Sequence, residues 1–227
     1  MGPADDALSE TPLFEGLSDE DARALRAGVL VVNLDRGERL FTEGDKGDKL
    51  YIILSGKIKL TKAAPDGREN LQSVHGSGEM FGELSLFDPV PRTASATAVT
   101  DAELAGLAHD DLRTWLSTRP EVAMHLLQAL AQRLRRINDV KADLVFTDVP
   151  GRVAKALLDL AERFGVQTPD GIQVNHDLTQ EELAQLVGAS RETVNKALAD
   201  FAARGWIQLA AKSVLVTDAD RLRKRAR

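Results

Sequence analysis

The amino-acid sequence predicts an α+β protein with an antiparallel β jelly roll at the front, one long helix in the middle and a small helix-rich domain at the back. Residues 29–107 alternate short β-type runs with glycine turns. Residues 119–146 keep a helical spacing of apolar side chains, and residues 179–203 hold two capped helices separated by a glycine. On these observations we divide the chain into domains at 1–118, 119–146 and 147–227.

The composition allows two ordinary domains and excludes several kinds of site. The chain has 227 residues, of which 43% are hydrophobic and 28% charged, as in globular proteins. It has no cysteine, so disulfides, thiolate zinc sites and cysteine-ligated iron–sulfur clusters are excluded. No apolar run has the length of a membrane span, and Asp5, Asp6 and Glu10 stand where a secretory signal would be basic. We therefore expect a cytoplasmic protein with no membrane partner.

The net charge of −6 is unevenly distributed along the chain. Residues 147–227 carry 12 Lys and Arg against 11 Asp and Glu, whereas residues 1–146 carry 17 against 24. A basic tail from Arg221 to Arg227 closes the chain. A nearly neutral domain binds nucleic acid when its cations are clustered, so the overall acidity does not exclude that function for the back of the chain.

The front of the chain is predicted to form an antiparallel sandwich. After short helices at 8–28, glycine-containing turns separate runs of β-type residues, with glycines such as Gly37, Gly44 and Gly56 in the turns. Many short strands at this spacing are typical of jelly rolls. The predicted strands cover residues 29–34, 39–41, 49–54, 57–62, 71–74 and 96–107.

The segment from Gly82 to Ala94, GELSLFDPVPRTA, is the strongest candidate for a ligand site. Arg92 offers a charged fork for a phosphate, the backbone amides near Leu84 and Ser85 offer further donors, and the carboxylate of Glu83 accepts from a ribose diol. The alternative is a proline-bounded surface turn with a solvated arginine.

The order of these residues resembles the phosphate-binding cassette of the cyclic-nucleotide-binding domain, as found in the bacterial cAMP receptor protein family. The resemblance covers the front half, including the turn glycines, and implies that the jelly roll is a cyclic-nucleotide-binding domain with cAMP as its allosteric effector. It is strongest where Pro91-Arg92-Thr93-Ala94 follows the glycine and the acid. The residues implied to contact the ligand are Gly82, Glu83, Leu84, Ser85, Arg92 and Thr93.

The long helix carries a seam with alternating steps of four and three residues, as in a two-stranded coiled coil. A second seam through Leu126, Arg133 and Val140 fits nearly as well. Two apolar faces on one helix predict contact with its own domain and with a partner subunit, so we expect a homodimer. The alternative is a helix that only covers the sandwich. The predicted interface residues are Leu127, Leu130, Leu134, Ile137 and Leu144.

The resemblance extends to the ligand-facing part of this helix, with one departure. In cAMP-responsive members of the family, a threonine followed by serine or asparagine contacts the adenine amino group, whereas this chain has Ile137 and Asn138. Isoleucine has no hydrogen-bonding group, and asparagine keeps a donor and an acceptor. Arg133 stands one turn earlier, where the family often has an arginine near the ligand. The resemblance thus implies phosphate and ribose binding, and leaves the choice of base and the strength of the response open.

The segment Phe146–Gly151 interrupts the helical pattern and predicts a hinge at Phe146 and Asp148. Asp148 is a suitable N-cap, with Pro150 and Gly151 in the first turn of a helix that runs to Phe164. The family resembled here often carries an Asp-x-x-Gly-Arg run at this point, which Asp148, Gly151 and Arg152 match.

The back of the chain has the pattern of a winged helix-turn-helix domain. Thr179 and Glu182 form a predicted capping box, Gly188 ends a short helix, and Ser190 caps a second helix to Ala203. Residues 205–207 and 212–216 predict a hairpin-like wing. The alternative for the second helix is an ordinary solvated surface helix.

Ser190-Arg191-Glu192-Thr193-Val194 resembles the DNA-recognition helix of the same family, in particular its actinobacterial members. The resemblance implies that Arg191 donates to guanine, that Glu192 accepts from cytosine N4, and that Lys196 lies near a base edge or a phosphate. The predicted contacts to double-stranded DNA are Thr179, Gln180, Ser190, Arg191, Glu192, Thr193, Asn195 and Lys196.

These inferences predict a homodimeric, cAMP-responsive transcription regulator that binds a TGTGA–TCACA palindrome and works with RNA polymerase. One alternative is a regulator of the same fold that responds to another ligand or to none. Another is a cyclic-nucleotide-binding regulatory subunit without DNA. The four histidines show no common ligand spacing and no catalytic constellation stands out, so we expect neither an enzyme nor a metal site.

Overall fold

The computed structural model of the chain describes residues 28–65, 67–88, 90–118 and 120–226. The boundary between two compact units falls between Leu134 and Arg135, within the long helix. The short helices predicted at 8–28 lie outside the described residues, apart from Gly28 itself. We describe each unit separately.

The described part of the first unit contains eight strands in two four-stranded antiparallel sheets, which confirms the predicted β sandwich. The sheet orders are β1-β8-β3-β6 and β2-β7-β4-β5. The strands are β1 (Leu30–Leu34), β2 (Arg39–Phe41), β3 (Lys49–Ser55), β4 (Ile58–Ala63), β5 (Glu69–His75), β6 (Met80–Phe81), β7 (Ser95–Ala98) and β8 (Ala102–Ala108).

The central strand β3 is apolar on both faces because both faces are covered. Tyr51 and Ile53 point into the core with Phe81 and Leu104, whereas Leu50 and Ile52 belong to a second cluster on the other face. Helix α2 (His109–Thr118) and the long helix α3 (Pro120–Phe146) cover that second face through Leu112 and Leu126. A strand buried on both sides therefore lacks the alternating pattern of a half-exposed strand.

Two local features of this unit differ from the prediction. The run 96–107 forms two strands in different sheets, because the chain turns at Val99, whose N–H donates to the Lys57 carbonyl. The candidate ligand segment contains a four-residue helix, α1 (Leu84–Phe87), with Glu83 at its N-cap position. Four residues are too few to give a periodic apolar pattern.

The second unit packs four helices on a four-stranded antiparallel sheet of order β11-β12-β10-β9. Its core contains fully buried Leu157, Val194, Phe201 and Val216. After the end of α3, its elements are α4 (Val149–Phe164), β9 (Gly165–Thr168), β10 (Gly171–Asn175), α5 (Gln180–Val187), α6 (Arg191–Ala203), β11 (Ile207–Ala210), β12 (Ser213–Val216) and α7 (Ala219–Arg225).

The predicted helix boundaries of this unit are confirmed by their caps. Asp148 accepts from the Gly151 N–H at the start of α4, and Thr179 and Glu182 form the capping box of α5. Gly188 adopts a left-handed conformation with φ of 71° at the end of α5. Ser190 then caps α6 by accepting from the Thr193 N–H. The two helices of a helix-turn-helix are thus delimited by side-chain caps and one glycine.

Candidate ligand-binding and nucleic-acid-binding sites

Arg92 is a buried cation at the base of a pocket in the first unit. Its side chain is only 5% exposed and lies with the guanidinium carbon 4.3 Å from the centre of the Phe41 ring. One terminal nitrogen donates to the Gly82 carbonyl at 3.0 Å, and the other donates to the Lys49 carbonyl at 2.8 Å. Its Nε has no hydrogen-bond partner among the described residues. Burial lowers the pKa of Arg92 from its usual value, so the site favours an anion that restores the lost solvation.

Gly82 permits this geometry in two ways. Its φ of 80° is a left-handed conformation that L side chains rarely adopt. A Cβ at this position would also lie 2.6 Å from a terminal nitrogen of Arg92. Glycine is therefore required for the arginine to reach under the α1 segment.

Glu83 is a buried carboxylate that is only half satisfied. It is 1% exposed, and its Oε1 accepts from Arg133 of the long helix at 2.6 Å. Its Oε2 has no hydrogen-bond partner among the described residues. A buried acceptor without a partner is costly, so this oxygen is available for a ligand hydroxyl.

The pocket brings together most of the predicted ligand residues. Gly82, Glu83, Ser85, Arg92 and Arg133 all line it. Leu84 and Thr93 also line it and are exposed to solvent on their other sides. Asn138 is exposed further along α3 and belongs to the second compact unit.

The structure adds pocket residues that the sequence did not indicate. Phe41 and Leu60 line the pocket, Phe41 as the aromatic face under the Arg92 guanidinium. Tyr51 lies behind it, with its ring centre 5.8 Å from the Arg92 guanidinium carbon. Burial raises the pKa of Tyr51 from its usual value. These residues come from strands far from the cassette in sequence, so no local motif announces them.

His109, at the start of α2, lies close to Gly82 and Arg92. It is 5% exposed, and a ring N–H donates to the carbonyl of Gly82. Its Nε2 has no partner among the described residues. Burial, and then the nearby Arg92 charge, lower the pKa of His109 from its ordinary value.

The helix α6 presents the predicted DNA-contacting face of the second unit. Val194, Ala197, Leu198 and Phe201 pack into the core. The opposite face leaves the polar side chains of the predicted contact set in solvent, with Asn195 half-buried beside them. The exposed predicted contacts on α6 and in the first turn of α5 are Thr179, Gln180, Ser190, Arg191, Glu192, Thr193 and Lys196.

Glu192 and Lys196 pair with each other across one helical turn. The Lys196 Nζ lies 2.7 Å from a Glu192 carboxylate oxygen, and both side chains are more than 70% exposed, at 75% and 78%. An exposed pair of this kind contributes little to stability, so it can be exchanged for contacts to a base or a phosphate. Arg191 has no such neighbour on its own turn in the contacts we observe.

The predicted wing is present as the hairpin of β11 and β12. Lys212 at its tip has a φ of 59°, and Asp177 before α5 has a φ of 61°. The Asp177 N–H donates to the Lys212 carbonyl at 2.9 Å, which ties the wing to the start of the helix-turn-helix. A second hairpin, β9–β10, extends the same sheet and was not predicted.

The long helix exposes the predicted dimer seam. Leu127, Leu134, Ile137 and Leu144 are between 48% and 59% exposed, whereas Leu126 of the competing seam is buried in the first unit. Arg133 of that second seam pairs with Glu83. Leu126 and Arg133 therefore contact the first unit, whereas the Leu127–Leu134 face is exposed.

The described residues also limit what else the chain can bind. Among them, no group of histidine, aspartate and glutamate side chains could hold a metal ion. None of the helices in the described ranges is sufficiently long and apolar for a membrane span.

Comparison with protein families matches each half of the chain to a known domain family. Residues 31–119 match the cyclic nucleotide-binding domain, and residues 151–225 match the Crp-like helix-turn-helix domain. The first range contains Arg92 and the segment Gly82–Ala94, and the second contains the capped helices α5 and α6.

Individual relatives agree with this assignment. The chain is 56% identical to the CRP-like cAMP-activated global transcriptional regulator of Mycobacterium tuberculosis, over 98% of this chain and 100% of that protein. It is 36% identical to the cyclic AMP receptor protein of Thermus thermophilus, over 93% of this chain and 95% of the relative. The solved structure of the c-di-GMP-responsive regulator CLP of Xanthomonas campestris is 27% identical, with a TM-score of 0.73, and covers 88% of this chain and 99% of CLP. These matches span both domains, so the chain belongs to the cAMP receptor protein family of DNA-binding transcription regulators and is not an enzyme.

Proposed function

We propose that this chain is a homodimeric regulator whose affinity for DNA depends on cAMP and which binds palindromes of the TGTGA–TCACA type. The observation that carries the proposal is the pair of unsatisfied groups in the pocket, Arg92 Nε and Glu83 Oε2. A cyclic phosphate supplies the anion that the first lacks, and a ribose 2′-hydroxyl supplies the donor that the second lacks. The cAMP-activated relative from Mycobacterium tuberculosis supports the same ligand.

The remaining ligand contacts follow from the elements around these two groups. The amides of Leu84 and Ser85 begin α1, and Glu83 makes no side-chain bond to them. They therefore offer N–H donors to the phosphate beside Arg92, with Gly82 and Thr93 at the edge of the pocket. Arg133 holds the Glu83 carboxylate at the edge of the pocket, and the family resemblance suggests Asn138 as a contact to the base.

A second copy of the chain is the partner that the exposed helix face fits. Apart from the seam, an apolar groove lies between α1 and α3, lined by Leu84, Phe87, Val90, Leu127 and Leu130. Leu84, Phe87 and Leu127 are about half exposed, at 50%, 54% and 53%. A dimer would bury this groove together with the seam of Leu127, Leu130, Leu134, Ile137 and Leu144, and would bring two ligand pockets close to the interface.

DNA binding then follows from two-fold symmetry. Two α6 helices about 34–36 Å apart enter successive major grooves, where Arg191 and Glu192 contact guanine and cytosine. Ligand binding favours the arrangement in which this spacing is met, with the segment Phe146–Asp148 as the hinge. The protein acts in the cytoplasm and on RNA polymerase bound at the same promoter.

Band shifts on a TGTGA–TCACA palindrome and on a scrambled duplex, with and without cAMP, test this proposal. We expect tighter binding to the palindrome and a further increase with cAMP. Specific binding unchanged by cAMP would instead identify a regulator with another ligand or none. Cyclic-nucleotide binding without any DNA binding would identify a regulatory subunit.

The alternative of a different ligand is favoured by one residue. Ile137 has no hydrogen-bonding group where the family uses a threonine for adenine, and the similar regulator CLP responds to c-di-GMP. Calorimetric titrations with cAMP, cGMP and c-di-GMP separate these ligands. We expect cAMP to bind more tightly than c-di-GMP, because Arg92 and Glu83 match a single cyclic phosphate and one ribose, and the comparison with cGMP measures the preference for the base.

A further inference from the structure

Residues 221–226 of the basic C-terminal tail are a folded part of the second unit. The α7 helix is capped by Asp218, whose side chain accepts from the Arg221 N–H at 2.9 Å. Leu222 is fully buried and Ala226 is 8% exposed, and both belong to the core cluster that contains Leu157 of α4. A tail that served only as a diffuse cationic arm for DNA would not need a buried face.

The last residue of α7 reaches the start of α4. Nη2 of Arg225 lies 2.6 Å from Oδ2 of Asp148, while Oδ1 of the same aspartate accepts from the Gly151 N–H at 3.0 Å. The Arg225 hydrogen bond, followed by the Gly151 N–H, lowers the pKa of the Asp148 carboxyl from its usual value. Both oxygens of the hinge aspartate are therefore used, one by its own helix and one by the C-terminal helix.

The backbone approach at this point is equally close. A Cβ on Gly151 would lie 3.3 Å from the Arg225 carbonyl oxygen and 2.6 Å from the Thr147 methyl group. Gly151 thus allows α7, α4 and the end of the long helix to meet. The other paired arginines of α7 behave differently, because Arg221 and Arg223 contact Asp218 and Asp220 of their own helix.

A second arginine contacts the same corner, the turn at Thr147–Asp148 between the long helix and α4. Arg152 Nη1 donates to the Thr147 carbonyl at 2.8 Å, its Nε donates to the Val187 carbonyl at 3.0 Å, and its Nη2 donates to the Gly188 carbonyl at 3.1 Å. Val187 and Gly188 end α5, directly before the DNA-contacting helix α6. The corner at Thr147–Asp148 is therefore connected to the helix-turn-helix through Arg152 and to the C-terminal helix through Arg225.

We propose that α7 braces this corner, with Arg225 as a positioning residue for Asp148. The Arg225–Asp148 pair limits how far the hinge at Phe146–Asp148 can change its dihedral angles, so more of a movement of the long helix reaches α5 and α6. The brace therefore governs how strongly the ligand changes DNA affinity. This inference rests on the proposed function for the ligand and the DNA, but the brace itself is a property of the second unit.

The test compares Arg225→Ala with Arg223→Ala, which removes the same charge two residues earlier but leaves Asp148 paired. Asp148→Asn is the second variant, because asparagine keeps the N-cap and loses the anion. Operator DNA is titrated with and without cAMP for each full-length protein. The ratio measured is the DNA affinity with cAMP divided by the DNA affinity without cAMP. An exposed ion pair changes an equilibrium constant by up to about fivefold, so we expect Arg225→Ala and Asp148→Asn to lower this ratio about three- to fivefold. Arg223→Ala should keep the wild-type ratio.

Hydrogen exchange without DNA or ligand supplies an independent readout. Amides of residues 147–152 should exchange faster in Arg225→Ala than in Arg223→Ala or the wild type. Equal exchange rates in the three proteins would contradict this proposal. Equal losses of DNA affinity in both arginine variants, with a shallower salt dependence, would also contradict it, because a tail that only contacts phosphates gives that result. A wild type without any cAMP effect would refute the proposed function, and hydrogen exchange alone would then decide the brace.

Discussion

At the scale of single residues, Arg92 combines a structural role with the ligand-binding role proposed for it. Its two terminal nitrogens bond the carbonyls of Gly82 and Lys49, which holds the cassette against β3. Its Nε remains without a partner, and the whole side chain is 5% exposed. Removing solvent from a cation without a matching anion costs free energy, so the surroundings of Arg92 favour an anionic group beside it.

Replacing Arg92 with alanine should nearly abolish cyclic-nucleotide binding. The phosphate would lose a charge-assisted contact worth roughly 1.5–3 kcal/mol or more. Isothermal titration calorimetry with cAMP measures the effect, and thermal unfolding reports whether the domain remains folded. Arg113→Ala is the matched control, because Arg113 donates to the Leu86 carbonyl of α1 but does not line the pocket. Unchanged affinity in Arg92→Ala would contradict the pocket.

His109 predicts how the first unit responds to acid. Burial and Arg92 lower its pKa in the folded protein, whereas the unfolded chain keeps a value of about 6.5. The unfolded state therefore takes up a proton that the folded state does not, and stability is lost as the pH falls below about 6.5.

Urea unfolding at pH 7.5 and pH 5.5 tests this for the wild type and for His109→Gln. The wild type should lose stability on acidification, and the variant should lose less, because glutamine does not titrate. An identical pH dependence in both proteins would show that other groups cause the acid sensitivity.

At the scale of elements, α6 separates packing from recognition along one helix. Val194, Ala197, Leu198 and Phe201 fix the helix to the core. The polar face then carries Arg191 at the N-terminal end, near the position where recognition helices contact base edges. Specificity and stability can thus change independently on this helix.

Arg191→Ala should therefore cost about 1–3 kcal/mol on the palindromic site and relax the preference for the guanine that Arg191 contacts. Competition band shifts with single-base variants of the palindrome measure both effects. The matched control is Arg204→Ala at the other end of α6, since Arg204 pairs with Asp200 and stacks on Trp206. Equal losses on specific and random DNA for Arg191→Ala would refute base recognition.

The elements also show what the sequence can and cannot predict. Asp148, Thr179 and Ser190 cap helices through bonds to nearby residues, so their roles are visible in a local pattern. The contacts of Arg152 are different, because they join it to backbone carbonyls, and any residue carries a carbonyl. The same holds for Phe41 under Arg92, which comes from a distant strand.

Two elements are not evident from the sequence, for identifiable reasons. The tail is conspicuous for its charge, and Leu222, the apolar residue that packs α7 on the core, is a single residue in a basic run. The β9–β10 hairpin turns at Pro169 and Asp170, but its strands have four and five residues and alternate weakly. Short elements of this kind depend on the sheet that they join.

At the scale of the whole molecule, the response of the proposed homodimer to ligand should depend on how stable the dimer is without ligand. The seam of the long helix exposes Ile137 at 48% and Val140 at 55% in one chain. Burying an isoleucine on a helix seam gains on the order of 1.5–3 kcal/mol. A threonine at the same position would instead need a hydrogen bond from the adenine or from water.

The unliganded protein should therefore already be a dimer with appreciable DNA affinity, and cAMP should add a modest factor, near the low end of about 1–3 kcal/mol of coupling. Ile137→Thr should increase the dependence on cAMP, because it weakens the unliganded active state and restores a group that can bond the adenine. Titrations of operator DNA against both proteins, with and without cAMP, measure the ratio, and analytical ultracentrifugation measures the dimer.

Val140→Thr separates the two causes in this prediction, because it removes an apolar β-branched side chain from the same helix without placing a hydroxyl at position 137. If loss of apolar contact alone raised the cAMP dependence, Val140→Thr would match Ile137→Thr. We expect instead that Val140→Thr weakens the dimer and raises the ratio less than Ile137→Thr does, since the adenine contact needs a hydroxyl at position 137. A wild type with no DNA binding before cAMP is added, together with an unchanged ratio in Ile137→Thr, would show that Ile137 does not set the unliganded activity.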